Sequence, residues 1–171
     1  MPELLLLRHA KSSWDQLGVD DHDRDLAPRG ERSAKAMGRL LASKRLMPDL
    51  VLCSTAKRTM RTLDLLSEEL GQEPPVRYLK SLYLAAPSRL LDVVQRQSDR
   101  VQRLMLVGHN PGTQELALRL AGSGDPELVR LMTEKFPTGA LARLRFPGEA
   151  WTSVLPAAGE LAGFWRPRDL E

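Results

Sequence analysis

Apolar positions follow two rhythms along this chain. Short unbroken runs occur at Leu4-Leu5-Leu6-Leu7, Leu50-Val51-Leu52-Cys53 and Leu104-Met105-Leu106-Val107. Runs of this length are too short to cross a membrane and read as strands buried on both faces. Between them, apolar residues recur at helical spacing: Ala34, Met37, Leu40 and Leu41 within 30–46, then Met60, Leu63, Leu66 and Leu70, then Leu90, Leu91 and Val94, then Leu116, Ala117 and Leu120. Pro48 stops the first of these helices, and Ser54 or Thr55 is placed to cap the second, which Gly71 ends before Pro74-Pro75. Pro87 and Pro111 fit first helical positions, and Val76–Leu79 reads as a further strand.

Beyond residue 120 the pattern weakens. Residues 122–125 read as a break and 126–132 as a short helix. Leu141, Leu144 and Phe146 alternate with arginines, which suggests a half-exposed edge strand, with Trp151–Leu155 as its hairpin partner across Pro147-Gly148. The aromatics of Phe164-Trp165-Arg166-Pro167 are expected to pack loosely on the surface. Strand and helix alternate over most of the chain, so the expected fold class is α/β, a three-layer sandwich with a mostly parallel central sheet and an antiparallel edge.

The bulk properties narrow this only slightly. A chain of 171 residues fits one domain, 1–171, with 42% hydrophobic and 27% charged residues in an ordinary globular balance. A net charge of +3 is too slight to argue for nucleic acid or a membrane surface as partner, so the placing of the arginines matters more than their number. Cys53 is the only cysteine, which excludes an intrachain disulfide and fits a reducing cytosol; it reads as a small core residue. The start lacks the pattern of a signal peptide, and a cytoplasmic location is expected.

The chemistry concentrates where the strands end. Arg8-His9 follows the first run, Ser54 with Arg58 one helical turn on follows the second, and Gly108-His109-Asn110-Pro111 follows the third. A parallel sheet delivers all three to the same edge, beside helix N-termini that offer N–H donors. Guanidinium forks match phosphate oxygens, a neutral imidazole can attack phosphorus, and a second, protonated imidazole can stabilise the equatorial oxygens. Each motif has a plainer reading: a capping serine with an exposed arginine, a turn whose histidine only packs. A metal site is the rival use of two histidines, but it wants further ligands, and neighbouring arginines oppose a cation. His22, among aspartates, reads as a solvated loop residue, and Lys11 is as readily solvated as bound to phosphate.

Taken together, Leu7-Arg8-His9-Ala10, Ser54-x-x-x-Arg58 and Gly108-His109 resemble the histidine phosphatase superfamily, with Ala10 in the glycine slot of its Arg-His-Gly signature. Asp21-x-x-Arg24-Asp25-Leu26-x-x-Arg29-Gly30 and Gly108-His109-Asn110-Pro111 are similar to its SixA branch of small phosphohistidine phosphatases. The resemblance implies a phosphoglycerate mutase-like fold and His9 as nucleophile, with Arg8, Arg58 and His109 around the phosphate. It also implies that Arg24 reaches in from the long polar stretch 12–29 and that Ser54 makes a weaker phosphate contact. Relatives that cleave esters carry an acidic proton donor after the third strand, whereas Ser81–Pro87 holds no Asp or Glu. Glu115, Asp21 and Asp23 are the substitutes to consider.

The expected activity is a metal-independent phosphatase, without cofactor, that forms a phosphohistidine enzyme intermediate and acts on protein phosphohistidine. The alternatives are a phosphatase of small phosphate esters or other phosphoramidates and, from another class, a non-catalytic phosphate-binding module. The partner is then a phosphorylated protein or a small phosphorylated substrate.

Overall fold

The computed structural model describes residues 1–15 and 17–170. Its centre is a seven-stranded mixed sheet. In chain order the elements are β1 (Glu3–Arg8), α1 (Pro28–Ser43), β2 (Leu50–Ser54), α2 (Lys57–Glu68), β3 (Val76–Leu79), α3 (Pro87–Gln95), β4 (Arg103–Gly108), α4 (Gly112–Leu120), β5 (Ala121–Gly124), α5 (Pro126–Glu134), β6 (Leu141–Arg145) and β7 (Gly159–Trp165). The strand order is β3-β2-β4-β1-β6-β7-β5. The four strands β3, β2, β4 and β1 pair parallel, and β6 pairs antiparallel with both β1 and β7.

The leucine run explains the layers. In β1, Leu4 and Leu6 join one core, packed under α3, α4 and α5, while Leu5 and Leu7 join the other, under α1 and α2. β4 repeats this, with Leu104 and Leu106 on one side and Met105 and Val107 on the other. Period-two alternation within an all-apolar run is what a strand between two helical layers requires.

The expected α/β sandwich is present, and the differences lie mostly in its antiparallel part. The edge-strand reading of 140–146 is wrong: β6 lies inside the sheet, between β1 and β7. Arg143, which suggested an exposed face, is held 2.6 Å from Glu3 on β1. The hairpin partner is β7, not 151–155. Trp151 instead starts a short 3-10 turn, fully buried, with its indole N–H donating to the Val101 carbonyl at 2.6 Å. Phe164 is a β7 core residue, not a loose surface aromatic.

Residues 121–124 form β5 alongside β7 rather than a break. A Cβ on Gly122 would lie 1.8 Å from the Ala157 carbonyl oxygen, so the glycine permits a close backbone approach. The first helix ends at Ser43 rather than 46, because Arg45 turns left-handed (φ 56°) and sends Leu46 into the core. Neither Ser54 nor Thr55 caps α2, whose N-cap is Ala56, and Pro111 caps α4 from just outside.

Candidate active site

Register places the two histidines side by side. Arg8 on β1 pairs with Gly108 on β4, and the ladder continues as the His9 amide donates to the Gly108 carbonyl at 3.1 Å. The next residue on each strand is a histidine, and the ring centroids of His9 and His109 lie 5.4 Å apart. Gly139 closes the end of β1, its amide donating to the His9 carbonyl at 2.8 Å. Arg8, His9, Arg24, Arg58 and His109 line one pocket of about 250 Å³, with Lys11, Ser12, Trp14, Leu84, Asn110 and Thr138 completing its wall. Ser54 is fully buried and stands behind His109 rather than on this wall.

A hydrogen bond fixes the proton on His9, and another engages His109. The Ala10 carbonyl can only accept, so His9 Nδ1 carries a hydrogen and donates it at 2.7 Å. Burial, and then the charges of Arg58, Arg8 and Arg24, push the His9 pKa down to about 4 in spite of that bond. At neutral pH the ring is therefore uncharged, with a free lone pair on Nε2. Ser54 Oγ accepts from the Ala56 amide at 3.3 Å and shares a hydrogen bond of 2.8 Å with His109 Nε2, as donor or as acceptor according to the tautomer of the ring. His109 Nδ1 is a buried atom without a partner among the described residues, and it carries the hydrogen when Ser54 donates to Nε2. Burial first, and then Arg58 and His9, push its pKa down to about 3. The protonated second imidazole expected from the sequence is thus neutral at neutral pH. With Ser54 as donor to Nε2 it still carries an N–H at Nδ1, and a buried donor left unpaired costs about 1–3 kcal/mol.

Ala10 in the glycine slot has a simple account. It is fully buried against Leu26, Ala34 and Leu65, and its amide donates to Thr62 Oγ1 at 3.0 Å. Gly30 serves the same junction: a Cβ there would sit 2.1 Å from the Lys11 carbonyl oxygen, so only glycine lets α1 begin against this loop.

Arginine contacts hold together the described residues of the stretch 12–29. Arg24 donates through Nε to the Ser13 carbonyl (3.2 Å), through Nη1 to Asp21 (2.9 Å) and through Nη2 to Ser12 Oγ, and its guanidinium stacks 3.4 Å from the centre of the Trp14 ring. Buried Arg58 donates to the Asp21 carbonyl (2.7 Å) and carboxylate (3.0 Å), keeping Nε and one hydrogen on each Nη for other acceptors. The Tyr83 hydroxyl also donates to Asp21. That bond, outweighing partial burial and joined by the Arg58 and Arg24 donors, pulls the Asp21 carboxyl down to about 2.

The polar stretch therefore bends back so that Asp21 ties Arg24, Arg58 and Tyr83 together. Tyr83, whose ring lies 5.3 Å from that of His109, escapes a sequence reading that inspects 81–87 only for carboxylates. Trp14 had a visible signal, as an exposed tryptophan within a polar loop. His22 is less solvated than expected: its Nε2 is hydrogen-bonded to Thr55 Oγ1 at 2.9 Å, and its ring stands edge-on to Tyr83. Lys11 is exposed and lines the pocket. Cys53 is a core residue, as expected, and burial raises its thiol to about 12. Among the described residues, no group of three His, Cys, Asp or Glu side chains is placed to hold a metal ion.

Two measurements follow from these contacts. Arg24→Ala should lower the specificity constant for a phosphorylated substrate at least tenfold, about 1.4 kcal/mol, with the thermal midpoint little changed because its partners lie in a loop. An unaltered specificity constant would reduce 12–29 to a connection. Ser54→Ala removes the hydrogen bond that orients His109, with an expected loss of about tenfold that Ser54→Thr largely restores. Equal activity of all three proteins would mean that the ring is oriented by something else.

Comparison with known proteins identifies the family and the fold. The family model described as histidine phosphatase superfamily (branch 1) matches residues 4–83. An uncharacterised protein of Mycobacterium tuberculosis is 43% identical over 164 residues, 95% of this chain and all of the relative. The crystal structure of the candidate phosphohistidine phosphatase SixA of Agrobacterium tumefaciens is 31% identical, with a TM-score of 0.82 over 98% of this chain and 99% of that one. The protein histidine phosphatase SixA in complex with tungstate shares the fold, with a TM-score of 0.80 at 19% identity over 99% of each chain.

Proposed function

We infer the reaction from the premise that this chain belongs to the histidine phosphatase superfamily, with SixA proteins among its structural neighbours. That membership supports a phosphatase; we propose that it acts on protein phosphohistidine, through a phosphohistidine of its own at His9. One observation carries the reading: the His9 Nδ1 hydrogen is tied to a carbonyl, so Nε2 faces a pocket of arginines as an uncharged nucleophile.

In this mechanism Arg8, Arg24 and Arg58 hold the phosphoryl oxygens, and the His109 Nδ1 hydrogen stabilises the charge they gain as phosphorus is attacked. The His9 Nε2–phosphorus bond forms while the substrate phosphorus–nitrogen bond breaks, and the leaving imidazole departs neutral once it is protonated. Water then attacks phosphorus, the bond to Nε2 breaks, and inorganic phosphate leaves. Ser54 positions His109, and Asp21 positions Arg58 and Arg24. The positive charge in this scheme comes from side chains, so no metal or cofactor takes part. The SixA complex with tungstate, a tetrahedral oxyanion, lends support from a protein of the same fold.

The deciding experiment is a panel of a phosphohistidine protein, an aryl phosphate and a sugar phosphate, assayed with a strong chelator. Turnover of the first two, unchanged by the chelator, is expected. Loss of turnover on chelation, restored by zinc or manganese, overturns the metal-free mechanism. Preference for the sugar phosphate overturns the substrate.

A further inference from the structure

Beside the catalytic pocket lies a larger cleft, about 460 Å³, that the reaction above does not use. It shares Lys11 and Thr138 with the pocket, so a group seated at His9 leads into it. The cleft runs between the start of α1, the end of α5 and the turn Pro167–Leu170. Lys11, Arg29, Lys135, Arg166 and Arg168 line it, against a single carboxylate, Glu134. Glu134 is neutralised from outside by Arg130 at 2.5 Å, and Arg166 is matched by Asp169 at 2.9 Å. Lys11, Arg29 and Lys135 are exposed and have no carboxylate partner among the described residues. A net charge of only +3 for the chain makes this a local concentration rather than a general basicity.

From this cleft we propose that the enzyme recognises acidic side chains flanking the phosphohistidine of its protein substrate, which seat on Arg29, Lys135 and Lys11 while the phosphoryl group sits at His9. The proposal rests on the phosphohistidine reading above and names what surrounds the target residue. The cations come from separate chain segments around one cleft, which suits a peptide carrying several carboxylates. No aromatic ring lines the cleft among the described residues, so the stacking that holds a nucleic acid strand is missing. Leu131, Pro137 and Pro167 give the backbone of such a peptide an apolar floor. Contacts of this kind act across solvent and are weakened by salt.

The test compares two phosphohistidine peptides, one flanked by Asp and Glu and one by Asn and Gln, with the full chain at low and high salt. Turnover is followed together with anisotropy binding of the unphosphorylated peptides. The acidic peptide should be preferred roughly tenfold in specificity constant at low salt, with the preference shrinking as salt rises. Arg29→Glu/Lys135→Glu should abolish it, and Arg29→Gln/Lys135→Gln should reduce it if the reversed pair folds poorly. Aryl phosphate turnover should be the same in all variants.

Equal turnover of both peptides overturns the cleft while leaving the phosphohistidine reading intact. Acid-selective binding without turnover of either peptide upholds the cleft and overturns that reading. A preference that survives in the variants, or tighter binding of a single-stranded oligonucleotide than of the acidic peptide, also overturns the proposal.

Discussion

His9→Ala is expected to lower turnover by on the order of 10⁴-fold or more, the scale on which nucleophile removal acts in enzymes that form covalent intermediates. The size follows from the absence of a substitute within the pocket. His109, 5.4 Å away between ring centroids, is engaged at Nε2 by Ser54, and its Nδ1 is buried, so it is poorly placed to attack in place of His9. The fold should survive, because β1 is held by its ladder to β4 and β6 and not by the imidazole. Incubation with a labelled phosphoryl donor should mark the native protein with acid-labile, alkali-stable phosphate and leave His9→Ala unmarked. Arg8→Ala, by contrast, should still be marked, more slowly. Residual turnover within about a hundredfold of the native protein would mean that the arginines and His109 alone direct water to phosphorus, and that His9 only binds.

The parallel half of this sheet was legible because β1, β2 and β4 are apolar runs sandwiched between helices, so local composition and burial agree. The same parallel topology assigns three polar strand ends to one edge from the sequence alone. The antiparallel half resisted for a physical reason. Arg143 looks solvent-facing in isolation, yet it is satisfied by Glu3 on the adjacent strand, 140 positions away in sequence. β5 is hidden because Ala121-Gly122-Ser123-Gly124 lacks the side chains that mark a strand and has the glycines that let it lie close to its neighbours.

The candidate site divides in the same way. His9, Arg8, Arg58 and His109 sit where strands end and could be placed by topology, and Arg24 by resemblance to the SixA branch. The tie between Asp21 and Arg58 spans 37 positions and that between Asp21 and Tyr83 spans 62, and no local spacing reveals either. The state of the imidazoles was the least legible feature. It depends on burial and on which carbonyl or hydroxyl faces each nitrogen, as Ala10 and Ser54 show.

Phosphoramidates and aryl phosphates should be cleaved about 10²–10⁴-fold faster than alkyl phosphates, the usual worth of a positioned proton donor. The residues that could supply such a proton are each disfavoured by their surroundings. Ser81–Pro87 holds no carboxylic acid. Asp21 binds two of the pocket arginines, but these and the Tyr83 hydroxyl pull it down to about 2, so it carries no proton at neutral pH. Asp23 is exposed beside His22, and Glu115 is exposed on the first turn of α4, away from the residues that line the pocket.

An alkoxide leaving without a proton is a poor leaving group, whereas a phenolate tolerates the charge and an imidazole can be protonated from solvent. Turnover plotted against leaving-group pKa should therefore fall steeply, as long as hydrolysis of the His9 phosphoenzyme is not limiting, which a burst measurement settles. Asp21→Asn sharpens the test. As a positioning residue for Arg58 and Arg24, its loss should slow aryl phosphates and alkyl phosphates alike. As a proton donor, its loss would slow the alkyl phosphates alone. A flat profile with chemistry shown to be limiting, together with a loss on alkyl phosphates alone in Asp21→Asn, would give Asp21 the acid's role, and with it a protonated state that its present hydrogen bonds oppose.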